Sequence, residues 1–278
     1  MLNKFLTSIL KIDCDKISPI DYDILLRVSG QSLDEKLDEL HNDILDKLLK
    51  NLGTISVLVI LVISFQLPGY TYIFVGIFYL YTLWEIVKNA PTIRNYKLGR
   101  DGERSVAQYL SVVARQLSKE DSNMHIYNDL VNEKTLSNID HVVVSKKGIF
   151  IFETKTFRKT KGVKNTIKSD GHKLLKNGYE VPSDIPLQVK GQIKWLEDEL
   201  LQKTGKKYSI IPSIVFVGWY VDGPKIDDIN ITTAKTLKHI LENQYRDVLY
   251  DNEELKRITS VIHKLATVTN EKHTDICK

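Results

Sequence analysis

Three ionisable side chains sit where a hydrophobic hairpin normally excludes them. From Ile139 to Lys155 the chain reads Ile-Asp-His-Val-Val-Val-Ser-Lys-Lys-Gly-Ile-Phe-Ile-Phe-Glu-Thr-Lys, two apolar strands around a short turn. Side chains alternate along a strand, so Glu153 and Lys155 share a face with Ile149 and Ile151, while Phe150, Phe152 and Thr154 take the other. A turn of two or four residues sets Asp140 opposite Glu153; a three-residue loop breaks that register. Two hard carboxylates and an ammonium at one end of a hairpin suit metal-assisted phosphodiester hydrolysis, in which the carboxylates hold Mg²⁺ and the lysine orients or helps deprotonate water. The plainer reading makes Asp140 and Glu153 strand-end charges with Lys155 as their ion-pair partner, worth little at a surface. His141 points away from Asp140 in an unbroken strand and reads as a packing residue.

Other motifs surround the hairpin in order. Gly99-Arg100-Asp101-Gly102-Glu103-Arg104-Ser105-Val106 precedes it, then Tyr127-Asn128-Asp129-Leu130; Gly162 and Pro186-Leu187-Gln188 follow. The spacing Asp-x12-Glu-x-Lys resembles the PD-(D/E)xK nuclease superfamily, and the ordered set is similar to its nuclease-related domain (NERD) family, with Ile185 where that family carries Asn. The resemblance implies an α/β fold with a restriction-endonuclease-like α-β-β-β-α-β core and a nuclease that uses Mg²⁺, or Mn²⁺ in its place. It also implies residue roles. Asp140, Glu153 and the Thr154 carbonyl would hold the metal, Lys155 would orient the attacking water, Glu103 would assist, and Gln188 would position phosphate or water. Glu103 is expected in the first turn of a helix, on the stripe of Val106, Leu110, Val113 and Leu117. A carboxylate there either completes the metal site or simply favours the helix dipole. Gln188 also reads as an ordinary helix N-terminal residue.

The elements that must position these groups extend from 99 to 268. A helix is expected over Pro186–Lys203 with Val189, Ile193, Leu196 and Leu200 inward, a buried strand over Ser209–Val217, a short strand over 229–232, and helices over 233–245 and 253–267. Between Lys155 and Lys176 stand eight lysines and arginines against the single acid Asp170. This run reads as a basic loop in which Arg158, Lys159, Lys161, Lys164 and Lys168 grip phosphate backbone without reading bases. A solvated loop, or attraction to anionic lipid, are its alternatives. DNA is the partner that the resemblance implies, with RNA left open.

From Asn51 to Val87 the only charged residue is Glu85, and Pro68-Gly69 divides the segment. It predicts a two-helix transmembrane hairpin over 51–88, with spans at about 51–67 and 70–87 and aromatic residues such as Tyr70, Tyr72 and Trp84 suited to an interface. A buried hairpin of a soluble domain is the alternative. Lys47 and Lys50 before it and Lys88, Arg94, Lys97 and Arg100 after it put both termini in the cytoplasm of a multi-pass cell-membrane protein. Residues 1–50 read as a cytosolic helical region, with a capping box at Ser32–Glu35 and a stripe Leu33, Leu37, Leu40, Ile44 and Leu48. That helix, or the hairpin, offers a route to a homo-oligomer. No signal peptide is expected at the N-terminus, and two remote cysteines, Cys14 and Cys277, predict reduced thiols.

The net charge of +4 in 278 residues, with no phosphate-binding glycine loop, leaves three classes. The first is a membrane-anchored nuclease acting on cytosolic DNA, with foreign DNA as the target in defence. The second is a catalytically idle, membrane-tethered nucleic-acid sensor or scaffold. In the third, the hairpin itself perturbs the membrane, with Glu85 as its only foothold.

Overall fold

The computed structural model describes residues 25–117, 124–132, 137–181, 184–243 and 249–267. They form two compact units. One spans Gly30–Arg104; the other joins the residues before Gly30 to those from Ser105 onward.

The first unit is helical. Helix α1 (Gln31–Ser64) and helix α2 (Thr71–Leu117) are joined by a turn at Pro68-Gly69, and the unit boundary falls inside α2. Helix α1 runs unbroken across residues 50 and 51. The expected capping box does not form: the N-cap is Gly30, at φ 76°, with no side-chain cap bond. A side chain at Gly30 would meet the Arg100 Cγ at 2.9 Å, so the close approach of α2 selects a residue that tolerates the left-handed region and takes the cap from Ser32. Helix α2 likewise does not begin near Glu103. It continues through Pro91 as one helix, and residues after the proline touch α1. Gly99 marks one such contact, where an added Cβ would lie 3.1 Å from Leu33 Cδ1. Arg100 and Arg104 both reach Asp34, and Lys47 lies 3.9 Å from Glu85. Among the described residues α1 alone is long and apolar enough to cross a membrane. Tyr72, Tyr79, Tyr81 and Glu85 dilute the apolar run of α2.

The second unit is mixed α/β. Strands β1 (His125–Asn132), β2 (Ser137–Ser145) and β3 (Gly148–Lys155) form an antiparallel meander. Strands β4 (Thr166–Ser169), β5 (Leu174–Lys176) and β6 (Tyr179–Glu180) follow, then helix α3 (Asp184–Thr204) and strand β7 (Ile210–Phe216), which lies parallel to β3. Strands β8 (Tyr220–Asp222) and β9 (Asn230–Thr232) and helices α4 (Leu237–Asn243) and α5 (Asn252–Leu265) complete it. The main sheet has the order β1-β2-β3-β7-β9.

Both faces of this sheet are covered, which is why β2, β3 and β7 read as nearly continuous apolar runs. On one face Val142, Ile149 and Ile151 meet Val189, Leu196 and Leu200 of α3 and Ile258 of α5. On the other, Val143, Phe150 and Phe152 meet Val106, Leu110 and Val113 of α2 and Ile240 of α4. The helix, three strands, helix and strand of the main sheet are consistent with the expected α-β-β-β-α-β core, with β4, β5 and β6 set between β3 and α3, and α3 and α5 fall within a residue or two of their predicted bounds. Pro186 sits in the first turn of α3, where its missing N–H costs no helical bond.

The stretch expected to be a basic loop is instead partly a second sheet, β6-β5-β4-β8. Strands of two to four residues leave too short a pattern to read, and Ile167 and Leu174 anchor them on the core. Gly223, at φ 113°, ends β8: a Cβ there would stand 2.1 Å from the Ser169 carbonyl oxygen, so only glycine lets β8 close on β4. Cys14 and Cys277 and the N-terminal stretch where no signal peptide is expected lie outside the described residues, as do the last two positions of the helix expected over 233–245.

Candidate active site

The hairpin turn holds two residues, Lys146 and Lys147, because Ser145 pairs with Gly148. The register then runs to His141 opposite Phe152, and its next step is Asp140 opposite Glu153. There β2 and β3 part, and side chains replace the ladder. Asp140 Oδ2 accepts the Thr154 N–H at 2.7 Å, while β3 continues its pairing with β7 as far as Lys155 opposite Phe216. Asp140 and Glu153 are 4% and 2% exposed, which disposes of the reading as solvated strand-end charges.

Buried carboxylates need charge or donors around them. Glu153 has three. Lys155 Nζ donates to its Oε1 at 2.6 Å, Gln188 Nε2 to the same oxygen at 2.8 Å, and Gln192 Nε2 to Oε2 at 2.7 Å. Lys155 Nζ also reaches Gln188 Oε1 at 3.0 Å, closing a triangle of Lys155, Glu153 and Gln188. The helix explains both glutamines: positions 188 and 192 are one turn apart on α3, next to the buried Val189 and Leu196. Thr154, the third expected metal-binding residue, is buried, and its hydroxyl has no partner among the described residues.

Sequence reading missed Gln192 and Asn138. Gln192 Nε2 also donates to the Asn138 carbonyl at 2.7 Å, and its own Oε1 is buried without a partner among the described residues. A signal existed: Gln192 lies three residues after Val189 and four before Leu196, a polar residue on a buried stripe, where Ile193 was expected instead. Glu103 is buried on α2 but falls in the helical unit, outside the unit that gathers the other residues. His141 is fully buried, its Nδ1 is 2.9 Å from Asn128 Oδ1, and burial pushes its pKa down to about 3, so it packs as a neutral ring.

Arg158, Lys159, Lys161, Lys164 and Lys168 are all exposed, the first four before β4 and the last on it. Lys164 Nζ lies 4.5 Å from the centre of the Tyr220 ring on β8, within cation–π reach.

Among the described residues no three His, Cys, Asp or Glu side chains converge as a metal cage. Two carboxylates and a backbone carbonyl are still a fitting donor set for Mg²⁺, which keeps several of its waters and takes only one or two carboxylates from protein. The buried, unpartnered Oε1 of Gln192 leaves polar capacity beside Glu153.

Residues 98–217 match the family model described as nuclease-related domain, NERD. The chain therefore carries a nuclease-related domain, and the matched segment runs from α2 through β7 to include every one of the site residues Asp140, Glu153, Lys155, Gln188 and Gln192. No curated protein matches. SfsA of Pyrococcus furiosus, solved in complex with Ca²⁺, aligns at 17% identity over 58% of this chain and 52% of its own, with a TM-score of 0.22. The chain thus spans about half the length of that structure.

Proposed function

We propose that this chain is a membrane-anchored, metal-dependent nuclease that hydrolyses DNA phosphodiester bonds on the cytosolic side. The observation that carries this reading is the buried Glu153 carboxylate, gripped by Lys155, Gln188 and Gln192 in the row next to Asp140. A structural ion pair has no need of a second buried acid one strand away; a phosphodiesterase does.

Asp140, Glu153 and the Thr154 carbonyl would hold Mg²⁺, or Mn²⁺ in its place. Bound there, the metal supplies Lewis acidity and a water of lowered pKa. The chain's own residues do the rest. Lys155 orients the attacking water and offsets charge on the pentavalent phosphate. Gln188, bonded to both Lys155 and Glu153, sets the lysine's direction. Arg158, Lys159, Lys161, Lys164 and Lys168 hold the phosphate backbone without reading bases.

The anchor rests on α1 and on exposed apolar side chains along the hairpin, among them Ile60, Ile63, Ile73, Phe74, Ile77 and Leu80. With α2 as the return span, both termini face the cytoplasm, on the side of the Lys and Arg clusters. Cutting would then be confined to nucleic acid at the membrane, as incoming foreign DNA is.

One observation favours a second reading. Lys155, Gln188 and Gln192 between them bond both oxygens of Glu153, as a structural network would, and the chain would then be a tethered nucleic-acid-binding scaffold. The full chain in nanodiscs, given supercoiled, linear and single-stranded DNA and RNA with Mg²⁺, Mn²⁺ or EDTA, separates the two. We expect metal-dependent cutting that Glu153→Gln reduces by roughly 100-fold or more. Salt-sensitive binding without cutting under any metal establishes the scaffold.

A further inference from the structure

The register that sets Asp140 beside Glu153 extends one strand further. Between the pairs Asn128 with His141 and Leu130 with Ile139, the matched position on β1 opposite Asp140 is Asp129. Asp129, Asp140 and Glu153 thus form a row of three buried carboxylates across β1, β2 and β3, exposed by 0%, 4% and 2%. Lys155 answers Glu153. The cation that answers Asp129 comes from the far end of the chain: Arg27 donates to Asp129 Oδ2 through Nε at 3.0 Å and through Nη2 at 2.7 Å, with a side chain only 9% exposed.

Arg27 precedes both long helices, yet it belongs to the α/β unit. Its N–H donates to the Ala266 carbonyl at 2.8 Å, and Leu26 bridges to Thr267. Asp129 holds an unusual backbone, φ 52°, which aims its other oxygen at Asn138. Asn138 Nδ2 donates to Asp129 Oδ1 at 2.7 Å and lies 3.5 Å from Asp140 Oδ1, while its carbonyl receives Gln192, the residue that holds Glu153 Oε2. Asn138 is therefore the hub between the Arg27–Asp129 pair and both carboxylates of the site.

We infer that Arg27 is a positioning residue for the nuclease site, supplied by the segment ahead of the first long helix and acting through Asp129 and Asn138 on Asp140 and Glu153. The inference rests on the nuclease reading for its kinetic consequence only. Its physical basis is general: one partner removed from a buried ion pair leaves an uncompensated charge, which water or a rearranged backbone must relieve. Here the groups joined to the pair are Asn138 and, through it, the Asp140 carboxylate that holds the Thr154 N–H. The matched family segment, 98–217, contains Asp129 and Asn138 but not Arg27.

The test uses the full chain in nanodiscs, as wild type, as Arg27→Met, and as Arg27→Met combined with Asp129→Asn, which removes both charges at nearly constant volume. Three quantities are read: thermal melting, kcat and KM on supercoiled DNA at saturating Mg²⁺, and metal-free hydrogen exchange of the peptide containing the Thr154 amide. Arg27→Met is expected to lower kcat at least about tenfold with KM within about twofold, and to speed Thr154 exchange, as misalignment with binding intact requires. The paired variant should recover both. Unchanged kcat and exchange in a folded Arg27→Met overturn the inference, as does a folded paired variant that stays impaired. If Arg27→Met does not fold, the paired variant decides: folded with native Thr154 exchange supports the inference, and unfolded reduces Arg27 to a fold residue and overturns it. Should the wild type cut nothing, the nuclease reading falls, and Thr154 exchange still decides whether Arg27 aligns the row.

Discussion

Burial at Glu153 is tolerated because each of its oxygens receives a donor, and the donors converge from β3 and α3 rather than from one local loop. That convergence separates it from His141 on the neighbouring strand, which is just as buried but has a single partner for its two ring nitrogens among the described residues. The consequence is a pH dependence of stability. The His141 pKa lies at about 3 in the folded chain against an ordinary 6.5, so below pH 6.5 the unfolded chain binds a proton that the folded chain refuses. Its contribution is complete above about pH 6.5 and is lost as pH falls toward 3, by up to about 1.4 kcal/mol per pH unit. Denaturant melts between about pH 7 and pH 4.5 should show this slope in the wild type, and His141→Gln should flatten it. A slope unchanged by the substitution would assign it to other groups.

Elements explain which cations can act together. Arg158, Lys159, Lys161 and Lys164 occupy the ten residues between β3 and β4, directly after the site's lysine, and β8 brings Tyr220 beneath Lys164. Strand pairing thus sets one member of the charge run, Lys164, over Tyr220. Replacing Lys159, Lys161 and Lys164 by Gln should weaken DNA binding across sequences and reduce the slope of log K against log salt by about 2 to 3, near one for each phosphate no longer neutralised. Fluorescence titration of labelled duplexes over a salt series reads this directly; an unchanged slope would return the run to an ordinary solvated segment. The same strands show where local pattern fails. Strands β4, β5 and β6, of two to four residues each, carry too little alternation to read, and their position depends on Ile167 and Leu174 finding the core.

At the scale of the whole molecule, the α/β unit is not a contiguous stretch. Leu26 and Arg27 pair with Thr267, Ala266 and Asp129, so the chain leaves this unit to form α1 and most of α2 and then returns to it. A soluble fragment beginning at Gly99 lacks the buried cation opposite Asp129. We expect it to unfold at a lower denaturant concentration than the same unit in the full chain, with an unfolding free energy smaller by about 3 to 5 kcal/mol, the usual cost of stripping one partner from a buried ion pair. Adding Asp129→Asn to the fragment should recover a large part of that deficit. Equal midpoints for the fragment with and without that substitution would show that the pair contributes nothing to the fold.

Composition and pattern sufficed for the parts governed by near neighbours. Alternation over 139–155 specified the hairpin and the faces of Glu153 and Lys155, the spacing of Val189, Leu196 and Leu200 specified α3, and the long uncharged run specified an apolar helix. Each of these depends on side chains a few positions apart, and such distances are written in the chain. Tertiary structure alone decided the rest. The two-residue turn chose between registers that the sequence left open, the close approach at Gly30 moved the cap from Ser32, and the fold brought Gln192 to Glu153 and Arg27 to Asp129 over separations of 39 and 102 residues. A buried charge must find its partner somewhere, but the place is set by which strands lie side by side, and that is a property of the packed sheet.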